Sequence, residues 1–145
     1  MSYTHLLYHI VFATKDRVRL ISPAWEDELY RYLGGIVKNH GGEPIEINGM
    51  PEHGHLLVRL KQLPSLPDFM RELKASSSKW AKRHNSKSSW QRRYGAFTVS
   101  ESMSEAVRKY IQNQKLHHKE QTFEDEFTEL LRLHNVEYDS KYLLD

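Results

Sequence analysis

Apolar and polar positions alternate through residues 3–13, where Leu6, Tyr8, Ile10 and Phe12 interleave with His5, Leu7, His9 and Val11. A period of two is the period of a strand. It changes after Ser22-Pro23, a capping hydroxyl followed by the residue best tolerated in a first helical turn. Trp25, Leu29, Tyr32, Leu33, Ile36 and Val37 then recur at helical spacing until Gly41-Gly42 ends the run. Ile45 and Ile47 predict a short strand, Asn48-Gly49-Met50-Pro51 a tight turn, and His53–Leu60 a returning strand with Leu56, Val58 and Leu60 on one face. A second helix is expected from Leu66 to about His84, along Leu66, Phe69, Met70, Leu73, Ser77, Trp80 and Ala81. A polar loop follows at Asn85–Ser89, then a fourth strand at Ala96–Val99. Ser102 and Glu105 have the spacing of a capping box. The helix they open carries an inward stripe of Met103, Val107, Tyr110, Ile111 and Gln114, and Phe123, Phe127, Leu130 and Leu131 define a last helix.

The order β-α-β-β-α-β predicts an α+β fold, a ferredoxin-like antiparallel sheet with two additional C-terminal helices. One domain is expected over residues 1–145: a core at about 3–100, a tyrosine-bearing helix at about 103–118, and a C-terminal helix and tail at about 122–145. Hydrophobic and charged contents of 39% and 28% are those of an ordinary globular chain. The chain has no cysteine, which excludes a disulfide framework, a thiolate metal site and thiol catalysis. No apolar run reaches the roughly 18 residues of a membrane span, and the N-terminus lacks signal-peptide layout. The expectation is a cytoplasmic protein with no membrane partner.

Charge alters this picture. The net is only +2, but residues 71–93 carry eight lysines and arginines against one acid, and residues 120–145 carry eight acids against two bases. A concentrated basic segment in a nearly neutral chain points to a polyanion. Lys74, Ser77, Lys79, Lys82 and Arg83, then Arg92 and Arg93, are the candidate DNA contacts, joined by Lys15 and Arg17 after the first strand. Trp90-Gln91-Arg92-Arg93-Tyr94 mixes aromatics with arginines, a composition suited to stacking on exposed bases.

Candidate chemistry sits elsewhere. His53 and His55 lie on one face of a strand, about 7 Å apart along it. Tyr110 and Gln114 share one face of a helix. Gln114 lies on an apolar stripe, where its amide needs a partner, and a metal is one. Two imidazoles with an amide oxygen suit Mg²⁺ or Mn²⁺, and zinc is chemically allowed. A cation beside Tyr110 would help a phenol of ordinary pKa near 10 attack a phosphodiester.

Five stretches in order carry a resemblance: Tyr8–Lys15, Met50–Val58, Leu73–Trp80, Trp90-Gln91 with Tyr94–Ser100, and Tyr110–Gln114. Across nearly all of its length the chain resembles the single-tyrosine HUH transposases of the insertion-sequence 200/605 type. The resemblance implies metal-dependent cleavage and rejoining of single-stranded DNA at hairpin-flanked element ends. It further implies a 5′-phosphotyrosine intermediate, a free 3′-OH, no nucleotide cofactor, and a homodimer in which the tyrosine helix of one subunit can serve the other. Carried over by position, Tyr110 would be the nucleophile and His53, His55 and Gln114 the metal ligands. Two positions depart from the family pattern: Gly54 stands where a bulky apolar residue is usual, and Glu52 where aspartate is commoner. The rival readings are a domesticated relative that processes hairpins, and a catalytically silent module that binds single-stranded nucleic acid.

Overall fold

A computed structural model describes residues 2–61 and 65–143. Four strands, β1 (Leu7–Ala13), β2 (Glu43–Met50), β3 (His53–Arg59) and β4 (Gly95–Thr98), form one antiparallel sheet in the order β2-β3-β1-β4. α1 (Glu26–Asn39) joins β1 to β2, and α2 (Leu66–Ala81) joins β3 to β4. This is the expected α+β ferredoxin-like arrangement.

β1 is central and covered on both faces. Ile10 and Phe12 face α1 and α2, packed with Leu29, Leu33, Val37, Leu56, Val58, Phe69 and Leu73. Val11 and Ala13 face the other way, against Phe123, Phe127, Leu130 and Leu131 of α5 (Phe123–Leu133), while Leu7 and Leu57 meet Ile111. Each of these buried side chains larger than alanine stabilises the fold by about 1.5–3 kcal/mol. His53 and His55, one residue out of phase with Leu56 and Val58, therefore project toward the C-terminal helices.

Local signals explain most element ends. Gly41 adopts φ 77°, and the amides of Gly41 and Gly42 bond the carbonyls of Lys38 and Val37, closing α1. Ser65 and Thr122 cap α2 and α5 through the amides of Asp68 and Asp125. α1 begins at Glu26 because Pro23–Trp25 form a turn bonded to Ser22.

Three expectations are corrected. Asn48, Gly49 and Met50 are not a turn but the end of β2, which pairs with β3 down to Met50↔His53, so the reversal falls at Pro51-Glu52. Ser102 caps nothing: a 3-10 turn over Glu101–Met103 precedes α3 (Ser104–Gln112), and Met103 is about half exposed. The helix carrying Tyr110 also stops at Asn113 and resumes as the single turn α4 (Gln114–His117). The Asn48 amide donates to the carbonyls of Ile111 and Gln112 at 3.0 and 3.1 Å, two acceptors an unbroken helix would use. The Leu116 amide, which would otherwise reach the Gln112 carbonyl, turns instead to Asn113.

Candidate active site

β3 supplies two fully buried imidazoles whose rings lie 5.1 Å apart. Each is held from behind. His53 Nδ1 is 3.0 Å from Glu52 Oε1, and His55 Nδ1 is 2.8 Å from Nε2 of His9 on β1. Both Nε2 atoms point at a third group, a carboxylate oxygen of Glu126 on α5, at 3.3 Å from His53 and 2.8 Å from His55. His118 Nε2 approaches the same oxygen at 3.0 Å. Gln114 brings Oε1 to within 3.1 Å of His53 Nε2 while its NH₂ donates to the second Glu126 oxygen at 2.9 Å. The Tyr110 hydroxyl donates to that same second oxygen. Tyr110, His53, His55 and Gln114 therefore meet within one chain.

Sequence reasoning missed His118, Glu126 and His9. The ligand atoms of His53, His55, His118 and Glu126 lie within 4.8 Å of one another. His117-His118 reads as a solvated helix end, yet only His117 stays outside the cluster, stacked on the Tyr110 ring at 4.7 Å. The clue to Glu126 was available: it stands at helical spacing among Phe123, Phe127 and Leu130, an acid on an apolar face.

The electrostatics follow from burial and from this carboxylate. Burial holds the His55 pKa down at about 4, against the pull of Glu126, so the ring is neutral. His9 is also held low, by burial and by His55. Burial opposes charge on His53, but hydrogen bonds to Glu126 and Glu52 outweigh it and raise its pKa. Burial alone would raise the Glu126 pKa; the bonds from His118, His53 and His55 reverse this and hold it well below the usual carboxylate range. Tyr110 is pushed up by burial and by the neighbouring Glu126 charge, so its phenol keeps its proton in this environment.

The residues fit a divalent cation. A neutral His53 that donates from Nδ1 to Glu52 turns a bare Nε2 toward two oxygen atoms, a repulsive arrangement that a proton or a metal ion relieves. The outer partners, a carboxylate behind one imidazole and a second ring behind the other, are those that orient histidine ligands.

The basic segment is placed differently. Lys79, Lys82 and Arg83 are exposed, on or just after α2, which covers the sheet face opposite the histidines. Arg92 and Arg93 are exposed just before β4, and Arg93 lies over the Tyr142 ring at 5.2 Å, next to Leu143, which packs with α5. Lys74 is half-buried and donates to the Arg92 carbonyl at 2.8 Å. Ser77 is fully buried, its hydroxyl donating to the Leu73 carbonyl and accepting from the Trp90 indole, so it packs rather than faces solvent. Trp90 and Trp80 are likewise packed, against Phe12 and Tyr32. Lys15 is exposed in a 3-10 turn after β1, and Arg17 and Arg19 line a groove of about 590 Å³ that reaches His118 and Lys119.

The family model described as "Transposase IS200 like" matches residues 2–114. The chain belongs to the IS200-like transposase family. This transposase is 30% identical over 122 residues to the ISDra2 transposase TnpA of Deinococcus radiodurans, covering 75% of the present chain and 84% of that protein. A crystal structure assigned to a Deinococcus radiodurans transposase superimposes with a TM-score of 0.64 at 28% identity, over 78% of this transposase and 93% of that chain. A REP-associated tyrosine transposase, solved bound to a REP hairpin, gives a TM-score of 0.63 over 81% of this chain and 72% of its own. At 15% identity, that second likeness shows the fold alone. No helix among the described residues is long and apolar enough to cross a membrane.

Proposed function

We propose that this transposase cuts and rejoins single-stranded DNA through Tyr110. The observation that carries the reading is the meeting of the Tyr110 hydroxyl with two buried histidines, Gln114 and Glu126 in one hydrogen-bonded cluster of one chain. The phenolic oxygen attacks phosphorus and loses its proton, the bond to the 3′-oxygen breaks, and a 5′-phosphotyrosine and a free 3′-OH result. A later 3′-OH attacks the same phosphorus, restoring the phenol and the phosphodiester, so no nucleotide cofactor is consumed. His53, His55 and Gln114 would hold a divalent cation, Mg²⁺ or Mn²⁺, which when bound would offset charge developing on the phosphate.

The exposed cations on α2 and its following turn, with Arg92 and Arg93, would grip the DNA through its phosphates. The REP-associated tyrosine transposase of the same fold was solved holding a hairpin, and a hairpin would be the gripped element here. A homodimer would provide one such site for each element end. The test is to incubate a labelled hairpin-bearing strand with the protein and Mn²⁺. A covalent protein–DNA adduct that Tyr110→Phe abolishes is the expected result. Binding without an adduct in the wild type would reduce the chain to a nucleic-acid-binding module.

A further inference from the structure

The carboxylate on which the cluster converges lies beyond the stretch matched by the family model, residues 2–114. Glu126 is buried on α5, where Phe123, Phe127, Leu130 and Leu131 anchor the helix to the sheet. One of its oxygens is surrounded by three imidazole nitrogens, and the other by the Gln114 amide and the Tyr110 hydroxyl.

We propose that Glu126 links the nucleophile to the cation: one carboxylate oxygen is a metal ligand beside His53, His55 and His118, and the other positions the Tyr110 hydroxyl. This rests on Tyr110 being the nucleophile. Three observations support it. Separations of 2.8, 3.0 and 3.3 Å between that oxygen and the three Nε2 atoms are those of neighbouring donors sharing one ion, since ligands about 2.1 Å from a metal and at right angles lie about 3.0 Å apart. Five polar groups converge on a carboxylate with about four lone-pair sites, so hydrogen bonding alone leaves the arrangement overcrowded. The ligand atoms of His53, His55, His118 and Glu126 all lie within 4.8 Å of one another, close enough to share one ion.

The ligand set then joins three parts of the chain: β3, the turn around α4, and α5. The C-terminal helix becomes part of the metal centre rather than an accessory. The opposing possibility is that Glu126 fills the cation's place and must leave before metal binds; the two predict opposite effects of removing its charge.

The test follows free Mn²⁺ by its electron paramagnetic resonance signal during titration of the full chain. Glu126→Gln and His118→Asn should each weaken Mn²⁺ binding by about tenfold or more, Glu126→Asp less, and Tyr110→Phe by less than about twofold. Circular dichroism in EDTA checks that each variant is folded. Mn²⁺ affinity in Glu126→Gln that matches or exceeds wild type overturns the ligand assignment. Should that variant not fold, wild-type affinity in both Glu126→Asp and His118→Asn overturns it equally.

The positioning role is read separately, from adduct formation at saturating Mn²⁺. His118→Asn should recover under those conditions, whereas Glu126→Ala should remain slower by about tenfold or more. Full recovery of Glu126→Ala overturns the link to Tyr110. A wild-type protein that binds Mn²⁺ through Glu126 yet forms no adduct leaves the metal centre standing and removes only the proposed function.

Discussion

Gly49 and Gly54 face each other across β2 and β3, and the two positions should respond in opposite ways to the same added methyl group. A Cβ on Gly49 would overlap the His53 carbonyl oxygen and stand 2.9 Å from the Gly54 Cα. Both obstacles are backbone, so no rotamer change can relieve them, and the strands must separate beside His53. Overpacking of this kind costs about 1–3 kcal/mol, and a backbone collision belongs at the upper end. For a chain of 145 residues, about 3 kcal/mol corresponds to a fall in Tm of about 6–12 °C. A Cβ on Gly54 meets nothing within 4 Å, although the residue is buried. Gly54→Ala should relieve the penalty of glycine within a strand, about 0.5–1 kcal/mol, and raise Tm by about 2 °C. Thermal unfolding followed by circular dichroism in EDTA measures both without involving the metal. A Gly49→Ala protein within 1 °C of wild type would refute the close approach of the strands. A Gly54→Ala protein several degrees less stable would refute the open space behind the histidines.

Other outcomes are equally specific. His9→Phe removes the nitrogen that holds His55 Nδ1 and should reduce Mn²⁺-dependent cleavage by about 10- to 100-fold; unchanged cleavage would show that His55 needs no support from β1. Arg92→Ala should weaken DNA binding and flatten the plot of log affinity against log salt by about one unit of slope, and an unaltered slope removes this residue from the interface. His55 has a folded pKa of about 4 against an unfolded value near 6.5, so its contribution is intact above 6.5 and lost as pH falls toward 4. That difference is worth about 3 kcal/mol in the metal-free chain. His53, raised by its carboxylate partners, works the other way: its contribution is present below 6.5 and lost as pH rises through its folded pKa. Tm measured against pH in EDTA should therefore fall less steeply on acidification in His55→Asn than in wild type, and parallel curves would contradict a neutral, buried His55.

What the sequence made legible was local. α1, α2 and α5 each bury one face against the sheet, and their periodicity reports it directly. The sheet order follows once those elements are placed, and so do His53 and His55 on one face and Tyr110 beside Gln114. What stayed hidden depends on partners distant in the chain. Asn48-Gly49 has the composition of a turn, yet pairing with β3 extends the strand through it. The break after α3 is imposed by Asn48, 63 positions before Ile111. His118 and Glu126 sit on opposite sides of the break between α4 and α5, a separation with no helical or strand period to betray it. The reasoning that singled out Gln114, a polar group on an apolar stripe, applies without change to Glu126.

The Asn48 side chain has a mechanical consequence. Because its amide takes the last carbonyls of α3, Tyr110 and Gln114 hang from two short rods rather than one. A DNA end tethered to the tyrosine would tug on the first rod, and that rod is fastened sideways into the sheet edge at β2. The second rod is tied to the same strand, through Lys115 and the Gly49 carbonyl, so the load on either rod runs into the sheet at β2.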